Sequence, residues 1–180
     1  SLASNPKNIF FLKADAYDVL PPISKLTPAQ AAYHFISGYT AKVAGTEQGV
    51  TEPKAVFSAC FGAPFMPLHP TAYADMLAEK MKAADTNVWL INTGWSGGSY
   101  GVGNRMKLSY TRAMITAAMN GHLDEVSYTE HPLFGLAMPN AVPGVPTSLL
   151  NPVYTWKSEE EYEATAQLLA RKFIENFKEF

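Results

Sequence analysis

The sequence predicts an α/β (or α+β) domain in which a few strands are covered by three or four helices. Three observations predict it. Val88-Trp89-Leu90-Ile91 is apolar without alternation, as expected of a strand covered on both faces. Thr27-Pro28 and the Ser158/Glu161 pair are helix-start signatures near opposite ends of the chain. Tyr73, Leu77 and Met81, and later Tyr162, Ala166, Leu169, Phe173 and Phe177, recur at the spacing of one helix face. With 180 residues, 47% of them hydrophobic, residues 1–180 fit a single domain with a real core.

Ile9-Phe10-Phe11-Leu12 reads as a buried strand. Asp15 to Pro22 forms a loop, because Leu20-Pro21-Pro22 continues neither a strand nor a helix. Thr27 caps a helix from about Pro28 to Ser37, with Pro28 at its first position, and Gly38 ends it. Residues 39–53 are small, polar and glycine-rich without periodicity, and a loop of that length in a compact domain is functional or disordered. Phe57 to Phe65 is strand-like but broken by Gly62 and Pro64. His69-Pro70-Thr71 opens a second helix. Ser109 is expected to cap a third, holding Met114, Ile115, Ala118 and Met119 and stopping at Gly121. His131 to Pro152 carries five prolines and is expected to wrap over the surface. Ser158 and Glu161 form a capping box for the last helix, whose early acids and later Lys/Arg match the helix dipole.

Composition narrows the function. The 14 basic and 16 acidic side chains leave no Lys/Arg block, which argues against a nucleic-acid partner. Cys60 stands alone, so no intramolecular disulfide forms and a reducing compartment is expected. Neither a signal peptide nor an apolar run near the ~20 residues of a bilayer span is visible, so a soluble cytoplasmic protein without a membrane partner is expected. The start at Ser1 rather than Met suggests a boundary, processing, or a piece of something longer.

Most chemistry-bearing patterns are missing. Gly97 to Gly103 is rich in glycine, yet no Lys-Ser/Thr pair follows to make a phosphate-binding loop, and the dinucleotide fingerprint is missed too. His34, His69, His122 and His131 lack metal-ligand spacing, so no metal site is expected. Asp15 and Asp18 could bind a cation, but capping a turn is the stronger reading. Cys60, beside Phe61, reads as inert and buried.

One constellation remains. Asn92 to Met106 leaves the apolar strand, crosses a glycine-dense loop with an exposed-looking Trp95 and Tyr100, and delivers an Arg just before a helix. Arg105 could lay its guanidinium over an aromatic ring. Met106 could offer backbone groups to a base edge while its thioether packs on the ring. Thr111 would place a hydroxyl near a helix N-terminus. The plainer alternative is a surface Arg, a core Met and an ordinary helix-start Thr.

Leu20 to Pro28, Tyr33 to Glu47, Phe57 to Gly62 and Asn92-Thr93-Gly94-Trp95 resemble, in order, the ATP-dependent phosphoenolpyruvate carboxykinase family. The resemblance covers nearly the whole chain and about the last third of that enzyme. It implies the C-terminal part of the family's mononucleotide-binding domain, from a gluconeogenic enzyme that turns oxaloacetate and ATP into phosphoenolpyruvate, CO2 and ADP with Mg2+ and Mn2+. It places adenine-nucleotide contacts on Arg105, Met106 and Thr111. It makes residues 39–53 the active-site lid, with Thr40, Lys42, Gly45, Thr46 and Glu47 in it. The phosphate-binding loop, the metal ligands and the oxaloacetate-binding arginines belong upstream, in a missing N-terminal part. By itself the segment is expected to hold no catalytic residue and to be inactive. The alternatives are a free-standing adenine-nucleotide-binding module, or half of a split protein with no catalysis of its own.

Overall fold

The computed structural model describes residues 4–42 and 52–180. At its centre is a five-stranded mixed sheet in the order β1-β5-β2-β9-β8. Its members are β1 (Asn8–Lys13), β2 (Ile23–Leu26), β5 (Asn87–Asn92), β8 (Tyr128–Glu130) and β9 (Ala137–Pro139). β1 runs parallel to β5, and the other pairings are antiparallel.

The missing alternation in β5 has the physical cause expected of it. Val88 and Leu90 point to one side and join a core with residues of α1 (Pro28–Ser37), α2 (Pro70–Ala84) and α5 (Glu159–Phe177). Trp89 and Ile91 point to the other and join Met114, Ala117 and Ala118 of α3 (Leu108–Met119), with Leu150 of the short α4 (Thr147–Leu150). Three layers result, and β5 is covered on both faces. β1 is different. It lies at the sheet edge with Phe11 buried, Phe10 partly buried and Leu12 57% exposed, so the expected buried strand is fully covered on one face only.

The helix signals translate into caps. The Thr27 hydroxyl accepts the Gln30 N–H while the Gln30 side chain accepts the Thr27 N–H, a reciprocal box at the start of α1. Gly38 ends the helix at φ +51, and a Cβ there would overlap the Ser58 carbonyl oxygen, so only glycine fits. In α5 the Ser158 hydroxyl accepts the Glu161 N–H at 3.2 Å, and Tyr162, Ala166, Leu169 and Phe173 are buried. Phe177 remains partly exposed but its ring meets Tyr33 at 4.8 Å.

Four further expectations need correction. The third helix is not capped by Ser109. It begins at Leu108, and the Lys107 carbonyl accepts the N–H groups of both Tyr110 and Thr111. The stretch from His131 to Pro152 does not simply wrap the surface: it supplies β9 and buries His131, Leu136, Met138, Val142, Val145 and Leu150. Its prolines limit the length of each element without preventing burial. The first residues of 39–53 are strand rather than loop. β3 (Tyr39–Lys42) pairs antiparallel with β4 (Lys54–Phe57), Tyr39 opposite Phe57 and Lys42 opposite Lys54. Thr40 and Lys42 are therefore strand residues, while Gly45, Thr46 and Glu47 lie outside the described residues. Only Phe57 of the Phe57–Phe65 stretch is strand; two 3-10 turns follow, with Cys60 and Phe61 at φ +56 and +57.

Candidate functional site: the glycine loop and the Arg105 cavity

β5 ends at Asn92, which ties the strand end to the loop between β1 and β2. Its side-chain oxygen accepts the N–H groups of Asp15 and Gly94, and its amide donates to the Leu20 carbonyl. Asp15 organises that loop in turn. Its carboxylate accepts the N–H groups of Tyr17, Val19 and Leu20 and the Tyr39 hydroxyl, the last at 2.6 Å. Of the two readings offered for Asp15, the geometry is that of a turn cap. Gly94 then passes so close that a Cβ would overlap the Asp15 carbonyl oxygen.

The chain next forms a minimal hairpin, β6 (Trp95–Ser96) against β7 (Asn104–Arg105), with Trp95 directly opposite Arg105. Cross-strand partners share a face, and the Arg105 guanidinium carbon lies 4.7 Å from the centre of a Trp95 ring. Trp95 is not exposed as its setting suggested; it is buried, with the Tyr100 ring edge-on at 5.5 Å. Burial of the indole fixes the platform on which the exposed arginine rests.

Arg105 and Met106 open on a cavity of about 350 Å³, together with Ser96, Lys107, Tyr110 and Leu149. Two cationic side chains and no carboxylate line it. The Lys107 ammonium is itself 5.6 Å from the Tyr110 ring centre. The Met106 N–H donates to the Gly94 carbonyl at 2.8 Å, so its donor is committed within the fold and cannot serve a base edge. Thr111 sits in the first turn of α3 and is buried; it does not line this cavity, although its neighbour Tyr110 does.

Asp18 was not singled out for this region, yet it touches the loop directly. Its carboxylate accepts the Gly98 N–H at 2.7 Å, and the Thr155 hydroxyl lies 3.3 Å away. Its carbonyl accepts the Trp156 indole N–H at 3.0 Å. Burial pushes the carboxyl up to about 7, and the Gly98 N–H opposes that rise. Asp18 stands at φ +54, a conformation unusual for a side-chain-bearing residue, and no sequence pattern announces it.

The buried His131 has a structural role. His131 Nδ1 accepts the N–H groups of Leu133 and Phe134, which puts the proton on Nε2, 2.7 Å from the Tyr162 hydroxyl. That hydroxyl donates onward to the Val19 carbonyl. Among the described residues no three His, Cys, Asp or Glu side chains converge to hold a metal, and no helix is long and apolar enough to cross a membrane.

Comparison with known proteins adds a family. A family model described as phosphoenolpyruvate carboxykinase matches residues 1–148. The phosphoenolpyruvate carboxykinase (ATP) of Flavobacterium johnsoniae is 67% identical over 180 residues, all of this chain but 34% of that protein. The enzymes of the same name from Christiangramia forsetii and Caldanaerobacter subterraneus subsp. tengcongensis are 66% and 58% identical, over 100% and 99% of this chain and 34% of each relative. The chain thus spans about a third of the curated relatives it matches.

Proposed function

This chain belongs to the phosphoenolpyruvate carboxykinase family, and we propose that it supplies the adenine-binding corner of an ATP-dependent enzyme of that kind. The complete enzyme would convert oxaloacetate and ATP into phosphoenolpyruvate, CO2 and ADP, as a gluconeogenic step in the cytoplasm. One observation carries the reading: Arg105 is stacked on a buried indole at the mouth of a cavity that Met106 shares. An arginine held over an indole has its other side free for a second planar group, here the purine. The Met106 carbonyl and thioether would complete the ring contact; Thr111, buried in the first turn of α3, does not line the cavity.

The triphosphate and the carboxylic acid substrate are bound by residues outside this chain. Mg2+ and Mn2+ fit no ligand set among the described residues, so their sites are assigned to the same missing part. The hairpin of β3 and β4 forms the base of the lid, which would exclude water from the enolate once closed. Phosphoryl transfer rests on metal and phosphate positioning, so the 180-residue chain by itself should show no carboxykinase turnover.

Calorimetry on the 180-residue chain tests the base contact. Adenosine, ADP and ATP should bind within a few-fold of one another, and Arg105→Ala should weaken all three by about tenfold, the scale of one stacked cation. Strong dependence on the phosphates, or indifference to Arg105→Ala, would contradict the assignment.

A further inference from the structure

We propose that Asp18 is a positioning residue for the purine site, its carboxylate fixing the glycine loop that holds Arg105 over Trp95; this rests on the purine reading above. The loop from Gly97 to Gly103 contains four glycines in seven residues, and glycine chains are the most expensive to order. The hairpin it closes has only two residue pairs, Trp95 with Arg105 and Ser96 with Asn104. A ladder this short does not define its own twist, so the loop conformation decides where Arg105 stands relative to the indole.

Two contacts from the β1–β2 loop restrain it. The Ala16 carbonyl accepts the Tyr100 N–H at 2.8 Å, and the Asp18 carboxylate accepts the Gly98 N–H at 2.7 Å. The second is the shorter, and it reaches the loop through a side chain rather than the backbone. Gly98 is at φ +122, a conformation only glycine adopts readily, so the bond selects one loop geometry out of many. Asp18 reaches it from φ +54. Left-handed backbone at a residue with a side chain persists where the surroundings over-determine it, and here they do. The Trp156 indole N–H holds the Asp18 carbonyl, and the Gly97 N–H donates to the Thr155 hydroxyl at 3.2 Å beside the same carboxylate. Three segments remote in sequence therefore meet at one side chain, next to the hairpin that carries the arginine.

The test uses the intact protein containing these 180 residues, with Asp18→Gly, Asp18→Ala, Asp18→Asn and Arg105→Ala. Dissociation constants for ADP, KM for ATP, kcat and melting temperature are measured for each. Asp18→Gly and Asp18→Ala should raise the ADP Kd and the ATP KM by about tenfold, with kcat within about twofold, the size of one hydrogen bond. Asp18→Asn keeps an acceptor for the Gly98 N–H and should restore most of the affinity, which a purely structural role would not require. If Asp18→Ala fails to fold, Asp18→Gly carries the test, since glycine relaxes the φ of +54. Parental affinity in a folded Asp18→Gly protein overturns the proposal, as does Asp18→Asn binding no better than Asp18→Ala. Should Arg105→Ala leave ADP binding unchanged, the purine reading itself falls; if it weakens binding while Asp18→Gly does not, only the positioning role is lost.

Discussion

Lys13 ends β1 with its ammonium fully buried, 5.4 to 5.8 Å from the ring centres of Tyr39, Phe61 and Phe173. Among the described residues it has no hydrogen-bond partner. Burial lowers its pKa from 10.5 to about 7, with Asp15 pulling the other way. Between those two pH values the unfolded chain keeps a proton that the folded one has shed. Stability should therefore rise as pH increases from about 7 towards 10.5, and Lys13→Met should flatten that rise in urea titrations at several pH values. His131 acts at the acid end. Burial lowers it from 6.5 to about 4, against the hydrogen bonds made by its neighbours. Its neutral ring is needed to accept the Leu133 and Phe134 N–H groups, so stability present above pH 6.5 should be lost as pH falls towards 4. The limiting loss is about 3 kcal/mol for this group, and His131→Phe melts that kept the full acid slope would rule it out. Neither behaviour is visible in sequence. A lysine at the end of an apolar run and a histidine before a proline look like surface residues until the rings around them are placed.

At the scale of elements, the caps and close approaches set the largest predicted effects. Gly38→Ala would set a Cβ against the Ser58 carbonyl oxygen at a left-handed position, and a loss of about 2–4 kcal/mol by denaturant unfolding is expected. Thr27→Ala removes one arm of the α1 capping box and should cost about 1 kcal/mol. Leu169→Ala opens a void on the buried face of α5 and should cost about 2–5 kcal/mol. These elements were legible because each carries a local signal: a cap residue, a stop glycine, a helical stripe. β5 was legible too, since its unbroken apolar run states that both faces are covered. What was not legible was set by distant partners. β9 is three residues long and exists because β2 and β8 flank it. β3 and β4 are four residues each, paired across residues that carry no strand signal. α3 starts at Leu108, before the Ser109 that sequence rules favour, because the turn leaving β7 already aims the Lys107 carbonyl along the helix.

For the whole molecule, the glycine loop and the arginine after it stood out in the sequence as a candidate site, and the structure puts Arg105 and Met106 on one cavity. The pieces that make the seat rigid were not readable. Asn92, Asp15 and Asp18 act across 72 to 137 residues of sequence, a reach that local patterns do not encode. The isolated chain also leaves Leu12, Phe65, Leu108, Met119 and Tyr154 exposed. Light scattering at rising concentration should show it associating, and a strictly monomeric chain would mean that these side chains are ordinary surface.

The strand order carries a consequence for how the molecule comes into being. β5 lies between β1 and β2, so these two strands cannot pair with each other and must wait for residues 87–92 to arrive. Only then can the parallel and antiparallel ladders close, joining segments roughly sixty to eighty residues apart, which places this chain among slow folders with late cooperative assembly. Synthesis halted at residue 86 should leave α1 only weakly held and the amides of β1 and β2 unprotected from exchange. Six residues further on, the same chain acquires its centre.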